Sequence, residues 1–261
     1  DIFETALENA KKTANGDNRL TTLLVNEYKP MPHDVCIIAS TANNRKELIN
    51  LAIESGCKSI LVEKPLGQSL EEVEDLVDFV SNLKVTVNVN LNMRLYDCYN
   101  KLAEDLRECQ QFQGFKTVTI NTGALGIGCN GIHYLDMLFF LFGADDAELV
   151  YAEIEPDLIP SGRGPQFGDF GGWAVIKFYN NKECIGRAFV SMASTSAAFG
   201  GWEIIAPCGR IIIDEIAATR KTTLRKIDSQ LPNFRYAGDF LPLETEPFES
   251  PFLGDLTAKW I

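Results

Sequence analysis

The sequence predicts an α/β domain with a parallel sheet, followed by an α+β domain built on a large, mostly antiparallel open sheet. Two observations carry that reading. Over the first third, the apolar runs "DVCIIAS" (34–40), "SILVE" (59–63) and "VTVNVN" (85–90) alternate with amphipathic stretches. That is the βαβαβ rhythm of parallel strands joined by right-handed crossovers. After Arg94 the rhythm changes to one further helix and a series of longer strands, separated by turn signals such as Asn180-Asn181 and Cys208-Gly209. The expected domains are therefore 1–94 and 95–261.

Each element has its own local reason. The run 34–40 is continuously apolar and β-branched, as in a strand buried on both faces. Asn44 with Glu47 makes a capping box, Leu48, Leu51 and Ala52 give a helical face, and Gly56 is a natural stop. The second buried strand is 59–63. Ser69 and Glu72 form another capping box, and Leu70, Val73, Leu76, Val77 and Val80 line the helix that follows. An amphipathic helix over about 95–109, the strand "FKTVTINT" and a helix after Gly131 come next. The remaining strands are "AELVYAEIE", "WAVIKFY", "ECIGRAFVS", "WEIIAP", "GRIIIDEIA" and "KTTLRKI".

Composition narrows the function. The net charge of −12 is spread along the chain with no basic stripe, which speaks against nucleic acid. No apolar run approaches the roughly 18–20 residues of a membrane span. Seven cysteines without C-x-x-C spacing, beside two histidines, give no cysteine–histidine metal site and fit reduced thiols in the cytoplasm. The chain opens on Asp1 and not Met, so a preceding segment is expected.

The stretch "GIGCNGIHYLD" (126–136) holds the one G-x-G-x-x-G pattern considered as a phosphate cradle. It follows a strand and opens a helix, as a dinucleotide loop requires. The strand argues against that role: Val118 and Ile120 alternate with Thr117, Thr119 and Asn121, a half-exposed pattern of the antiparallel kind. The helix instead carries Cys129, His133, Asp136 and Phe140 near one stripe. "GDFGG" (168–172) and "SMASTSAAFGG" (191–201) read as loops, and Ser194 and Ser196 lack a G-x-S-x-G elbow.

Two side chains stand out chemically. Lys64 ends a parallel strand, where open α/β sheets place ligands, and an ammonium there can stabilise alkoxide-like charge. The alternative is a solvated charge at a strand end. His133 can act as general base or acid near neutral pH, with Asp136 one turn on to fix its tautomer. The alternative is a hydrogen-bonded core histidine.

In order and spacing, "VCIIASTANNRKEL", "SILVEKPLG", "NLNMRLYDCYNKL" and "CNGIHYLD" resemble the glucose–fructose oxidoreductase / inositol dehydrogenase / MocA (Gfo/Idh/MocA) family. The resemblance implies a Rossmann-like first domain, N-terminally incomplete, whose glycine loop lies upstream of Asp1. "DIFETALENAKK" then reads as a helix after the second strand, and "PFLGDLTAKWI" as the start of the family's final helix. It implies NAD or NADP as cofactor, with Asp1, Ser40, Thr41, Arg45, Glu63, Lys64 and Pro65 against it, Asp1 favouring NAD through a ribose hydroxyl. It implies a sugar-like substrate met by Lys64, Arg94, Cys129, Asn130 and His133, with Lys64, His133 and Asp136 catalytic and no metal. Lys64 and His133 are expected to face each other across one crevice.

Cys129 departs from the pattern, because the family has Asp four residues before the histidine; Asn130 or Asp136 would have to compensate. Arg45, Thr41 and Ala42 also replace usual cofactor-loop residues. The expected function is therefore hydride transfer between nicotinamide and a hydroxyl-bearing carbon of a sugar or derivative, by a homo-oligomer joined through the second sheet. The alternative is a non-catalytic dinucleotide- or sugar-binding protein on the same scaffold.

Overall fold

Three short strands, β1 (Val35–Ile38), β2 (Ser59–Val62) and β3 (Thr86–Val89), pair in parallel in the order β1-β2-β3. They belong to the first of two compact units, Asp1–Val89 and Asn90–Ile261; the turn carrying Arg94 belongs to the second. The computed structural model describes residues 3–123, 126–160, 168–193, 200–227 and 240–249. Asp1, the whole of "SGRGPQF", Ser194, Ser196 and "PFLGDLTAKWI" lie outside them.

In the first unit, α1 (Glu4–Ala14), α2 (Arg45–Glu54) and α3 (Leu70–Ser81) accompany the strands. Ile38, Ile49, Ala52, Ile60, Val62 and Leu76 form its core. The expected burial of the first strand on both faces fails. Val35 and Ile37 are 39% and 42% exposed, because Cys36 and Ile38 take the covered face and, among the described residues, β1 pairs with β2 alone. β2, between two neighbours, has Ile60, Leu61 and Val62 all buried.

The two expected capping boxes diverge. Asn44 adopts a left-handed conformation (φ 59°) and its side chain makes no cap bond, so α2 starts without the box. Ser69 Oγ does accept the Glu72 amide at 3.2 Å, while the Glu72 carboxylate reaches back one residue further, to the Gln68 amide at 2.7 Å. The inner face of α3 is Val73, Leu76, Phe79 and Val80; Leu70 and Val77 point outward, against expectation.

The second unit begins with a 3-10 turn (Asn92–Leu95), α4 (Asp97–Glu108) and a second 3-10 turn (Gln110–Phe112). Then follow β4 (Lys116–Asn121), a π-helical turn (Ile127–Gly131) and α5 (Ile132–Phe142). Seven more strands complete it: β5 (Asp146–Pro160), β6 (Gly168–Asn180), β7 (Glu183–Ser191), β8 (Gly201–Ile205), β9 (Gly209–Asp214), β10 (Thr219–Leu224) and β11 (Glu244–Pro247). The sheet order is β11-β10-β9-β8-β4-β7-β6-β5. Every pairing is antiparallel except β4 with β7, so β4 sits in a mixed sheet. The expected turn at Asn180-Asn181 closes β6 onto β7, with positive φ at Asn181 (48°) and Lys182 (70°), the geometry of a tight hairpin.

Period-2 alternation decides which face of this sheet is dry. Val118, Ile120, Ile176, Phe178, Ala188, Val190, Trp202, Ile204, Ile211 and Ile213 point to one side. Leu102 and Leu106 of α4, with Met137, Leu138 and Leu141 of α5, cover them. Phe178 meets Phe139 and Phe142 at 5.3 and 5.0 Å between ring centroids, and Trp202 meets Tyr134 at 5.6 Å. Buried Arg220 on β10 pairs with Asp105 of α4 at 2.6 Å, tying helix to sheet.

One carboxyl is drawn into this interior. Glu215 accepts hydrogen bonds from Trp202 Nε1 (2.8 Å) and Tyr99 Oη (3.2 Å), yet desolvation outweighs both and its pKa is raised. A carboxyl whose folded pKa exceeds its unfolded value contributes stability that is complete below the unfolded pKa and lost as pH rises through the folded one. Stability should therefore fall on that climb in the wild type, and Glu215→Gln should flatten this part of the profile. Urea denaturation across pH 4–8 reads the difference.

Candidate active site

The C-terminal ends of β1 and β2 carry the first group of candidate residues. Ser40 and Thr41 follow β1 and are exposed; Glu63, Lys64 and Pro65 follow β2 and are half-buried. The Glu63 amide donates to Ile38 O at 2.9 Å, and the Lys64–Pro65 peptide is cis. Arg45 has a different position from the one its candidacy suggested. It is 3% exposed, and its guanidinium donates to Ile38 O (3.3 Å), Ser40 Oγ (3.1 Å) and Ser40 O (2.9 Å). It braces the loop from within, so its contribution there is to hold Ser40 and the turn beyond β1. Exposed hydroxyls and backbone beside half-buried Lys64, all at the strand ends, fit a polar ligand laid across the sheet edge.

The second group lies around the start of α5. Gly126 to Gly131 do not form a phosphate loop, although β4 before them runs parallel to β7. The residues after Gly126 wind into a π-helical turn, and two of their amides are already taken by a carboxylate. Gly128 N donates to Asp169 Oδ1 at 3.1 Å and Cys129 N to Asp169 Oδ2 at 2.6 Å. Gly126 has φ +78°, and a Cβ there would lie 2.6 Å from Asp169 Cβ, which accounts for the first glycine of the pattern.

Two further expectations are corrected here. The stripe Cys129–His133–Asp136–Phe140 assumed α-helical spacing throughout, but a π turn holds an extra residue and displaces Cys129 from the line. "GDFGG" is not a loop: it is the first stretch of β6, paired with β5 from Pro160↔Gly168 onward. At Gly172 (φ +152°) an added Cβ would come 2.2 Å from Glu153 O, so the close approach of β5 needs glycine.

His133 and Asn130 are half-buried on this segment. Asp136 is clamped by Arg94, with Nε to Oδ2 at 2.6 Å, Nη2 to Oδ1 at 2.5 Å and Nη2 to Asp136 O at 3.3 Å. Arg94 also lies over the Phe140 ring at 5.6 Å. Arg94 thus forms a salt bridge that anchors the 3-10 turn to α5. Among the described residues no group of three or more His, Cys, Asp or Glu side chains is arranged to hold a metal, and no helix is long and apolar enough to cross a membrane.

Comparison with known proteins adds the family. Residues 2–91 match the model of the Gfo/Idh/MocA oxidoreductase family, NAD-binding Rossmann fold. Over these residues the chain is similar to that family, and the match covers about a third of its length. No curated protein is similar to the chain by sequence. Solved structures share its fold. An oxidoreductase from Agrobacterium radiobacter in complex with NAD+, L-tartaric acid and magnesium is 16% identical with a TM-score of 0.66, over 100% of this chain and 74% of that one. UDP-N-acetylglucosamine 3-dehydrogenase GnnA from Acidithiobacillus ferrooxidans is 15% identical with a TM-score of 0.55, over 87% and 68%. An oxidoreductase from Sinorhizobium meliloti is 13% identical with a TM-score of 0.57, and the chain spans 56% of its length. At these identities the likeness is one of fold.

The Arg45 brace makes a testable statement about the family's cofactor edge. Arg45→Met removes the guanidinium donor from Ser40 O and Ser40 Oγ and one of the two donors to Ile38 O, which keeps the Glu63 amide; losing hydrogen bonds from a charged donor costs about 1–3 kcal/mol. Urea denaturation should show a loss of that size, and amide exchange at residues 39–44 should quicken.

Proposed function

We propose that the protein is a nicotinamide-dependent oxidoreductase acting on a hydroxyl-bearing carbon of a sugar or sugar derivative. The observation that carries the proposal is Lys64, half-buried at the C-terminal end of the central parallel strand of a domain that matches an NAD-binding family. In this reading Ser40, Thr41, Glu63, Lys64 and Pro65 border the dinucleotide, with Arg45 keeping the Ser40 loop in shape. The bound nicotinamide would supply a hydride acceptor or donor.

The protein's own groups then manage charge and protons. The Lys64 ammonium hydrogen-bonds the reacting oxygen and stabilises the negative charge it gains as the carbon is oxidised. His133 takes the hydroxyl proton, or returns it in the reductive direction. Asp136 and Arg94 hold the helix face beside His133. Cys129 and Asn130 border the substrate from the preceding turn. The UDP-sugar dehydrogenase among the similar folds supports the substrate class. Seven free thiols suit a reducing, cytoplasmic setting.

Nicotinamide absorbance with a panel of sugars and nucleotide sugars tests this reading. Lys64→Ala and His133→Ala should each lower kcat by about 10²–10⁴-fold. If both serve one chemical step, the double variant should lose little more than the worse single one. Dinucleotide binding without turnover, indifferent to His133→Ala, would favour the binding-protein alternative.

Assembly is part of the same proposal. The sheet face opposite α4 and α5 presents Tyr151 and Trp173, with ring centroids 5.0 Å apart and planes tilted by 34°, beside exposed Phe189. A second copy meeting this face would bury them. Trp173→Glu should then shift the sedimentation coefficient to that of the monomer without unfolding the chain.

A further inference from the structure

The glycine turn before His133 has the chemistry of an anion site, and an internal residue occupies it. Amides at the start of a helix carry partial positive charge and lack partners within the helix. Here Gly128 N and Cys129 N point to one carboxylate, Asp169, at 3.1 and 2.6 Å. Asp169 Oδ1 also accepts the amide of Phe170 at 2.8 Å, which orients the carboxylate on its own strand. The fit is close on both sides: a Cβ on Gly126 would lie 2.4 Å from Asp169 Oδ2, and one on Gly128 3.2 Å from Oδ1. A contact separated by 40 residues therefore selects the residue types of the turn.

Cys129 has no carboxylate to offer this turn, and Asp136 is engaged by Arg94. We propose that Asp169 is the positioning residue for His133: its carboxylate, delivered from β6, fixes the π-helical turn from which α5 and the imidazole project. This rests on the reading of His133 as the proton-transfer group. It also removes the argument for lost turnover at Cys129, since the turn keeps a fixed negative charge supplied by another strand. Held this way, the amides of Gly128 and Cys129 are spent on the protein itself and not on a nucleotide phosphate.

The test uses the whole chain with Asp169→Asn, Asp169→Ala and, as a control on an exposed carboxylate of β5, Asp157→Asn. Asn keeps the shape but sets an amide nitrogen against a backbone donor; Ala removes the acceptor without adding a donor. Three readouts are taken at a temperature where thermal unfolding shows each variant folded. Amide exchange at Gly128 and Cys129 should quicken about tenfold or more in both Asp169 variants. The ring signal of His133 should move while that of His33, the only other histidine, stays in place. Sugar oxidation should lose about tenfold or more in kcat with KM changed less than about threefold, the signature of a misplaced catalytic group. Asp157→Asn should change none of these. Unchanged amide exchange, or an unmoved His133 signal, in both Asp169 variants overturns the inference, as does a full kcat. Absent turnover in the wild type, with the His133 signal still answering to Asp169, would instead overturn the proposed reaction and leave this placement standing.

Discussion

The second unit depends on how α5 is held. The helix is apolar nearly all round, so no solvent-facing stripe orients it. Its direction comes from contacts that are specific in shape. Phe139 and Phe142 grip Phe178 of β6, and Tyr134 lies against Trp202 of β8. Arg94 binds Asp136 from outside, and Asp169 closes the turn at the start. A helix fixed by aromatic pairs along its length and by charge near its first turns can carry a polar side chain at a reproducible place. His133 sits within that span, one turn from the clamp at Asp136.

Covering the sheet from one side follows from the same arrangement. Two helices of 12 and 11 residues must shield strands of a sheet eight wide. Charged groups drawn into the inner face find partners across elements: Arg220 with Asp105, Glu215 with Tyr99 and Trp202. Each of these ties a helix or a neighbouring strand to the turn region of β9 and β10. Polar groups buried at this boundary therefore fix which helix lies under which strand, a role that apolar contacts alone perform less specifically.

Much of this was legible in the sequence because it is local. The three parallel strands, the helix over 97–108, the alternation of β4 and the tight turn at Asn181 all follow from periodicity and turn chemistry within a few residues. What escaped is long-range or depends on one backbone angle. Asn44 has the composition of a cap but a left-handed φ, which propensity does not report. Val35 and Ile37 look buried because β-branched runs usually are; their exposure depends on what neighbours the strand, not on the run itself. Arg45 looks like a ligand-facing charge until its guanidinium is seen turned onto two carbonyls of its own loop. Asp169 was hidden inside "GDFGG", a stretch that reads as a loop by composition. The signal that remained was available: two glycines at 126 and 128 ask for close approach by something, and a glycine-flanked aspartate on a strand edge is an anion able to make it.

The outer edge of the large sheet is defended against strand addition in a way that its open face is not. β5 ends the sheet and is 15 residues long, with Leu149, Val150, Ile154 and Leu158 exposed, a composition that invites another strand. Two features work against that. The pairing with β6 slips between Leu149 and Tyr151 and again between Ile154 and Leu158, so the edge is not a straight ladder. The same strand carries Glu148, Glu153, Glu155 and Asp157 with Pro156 and Pro160. A second copy laid antiparallel along it would set these carboxylates against each other, and each proline withholds an amide. The face has no such defence around Tyr151, Trp173 and Phe189, where aromatic rings of neighbouring strands lie exposed side by side. Charge repels along the edge while apolar area remains exposed on the face, so the two surfaces of β5 and β6 differ in what they would accept.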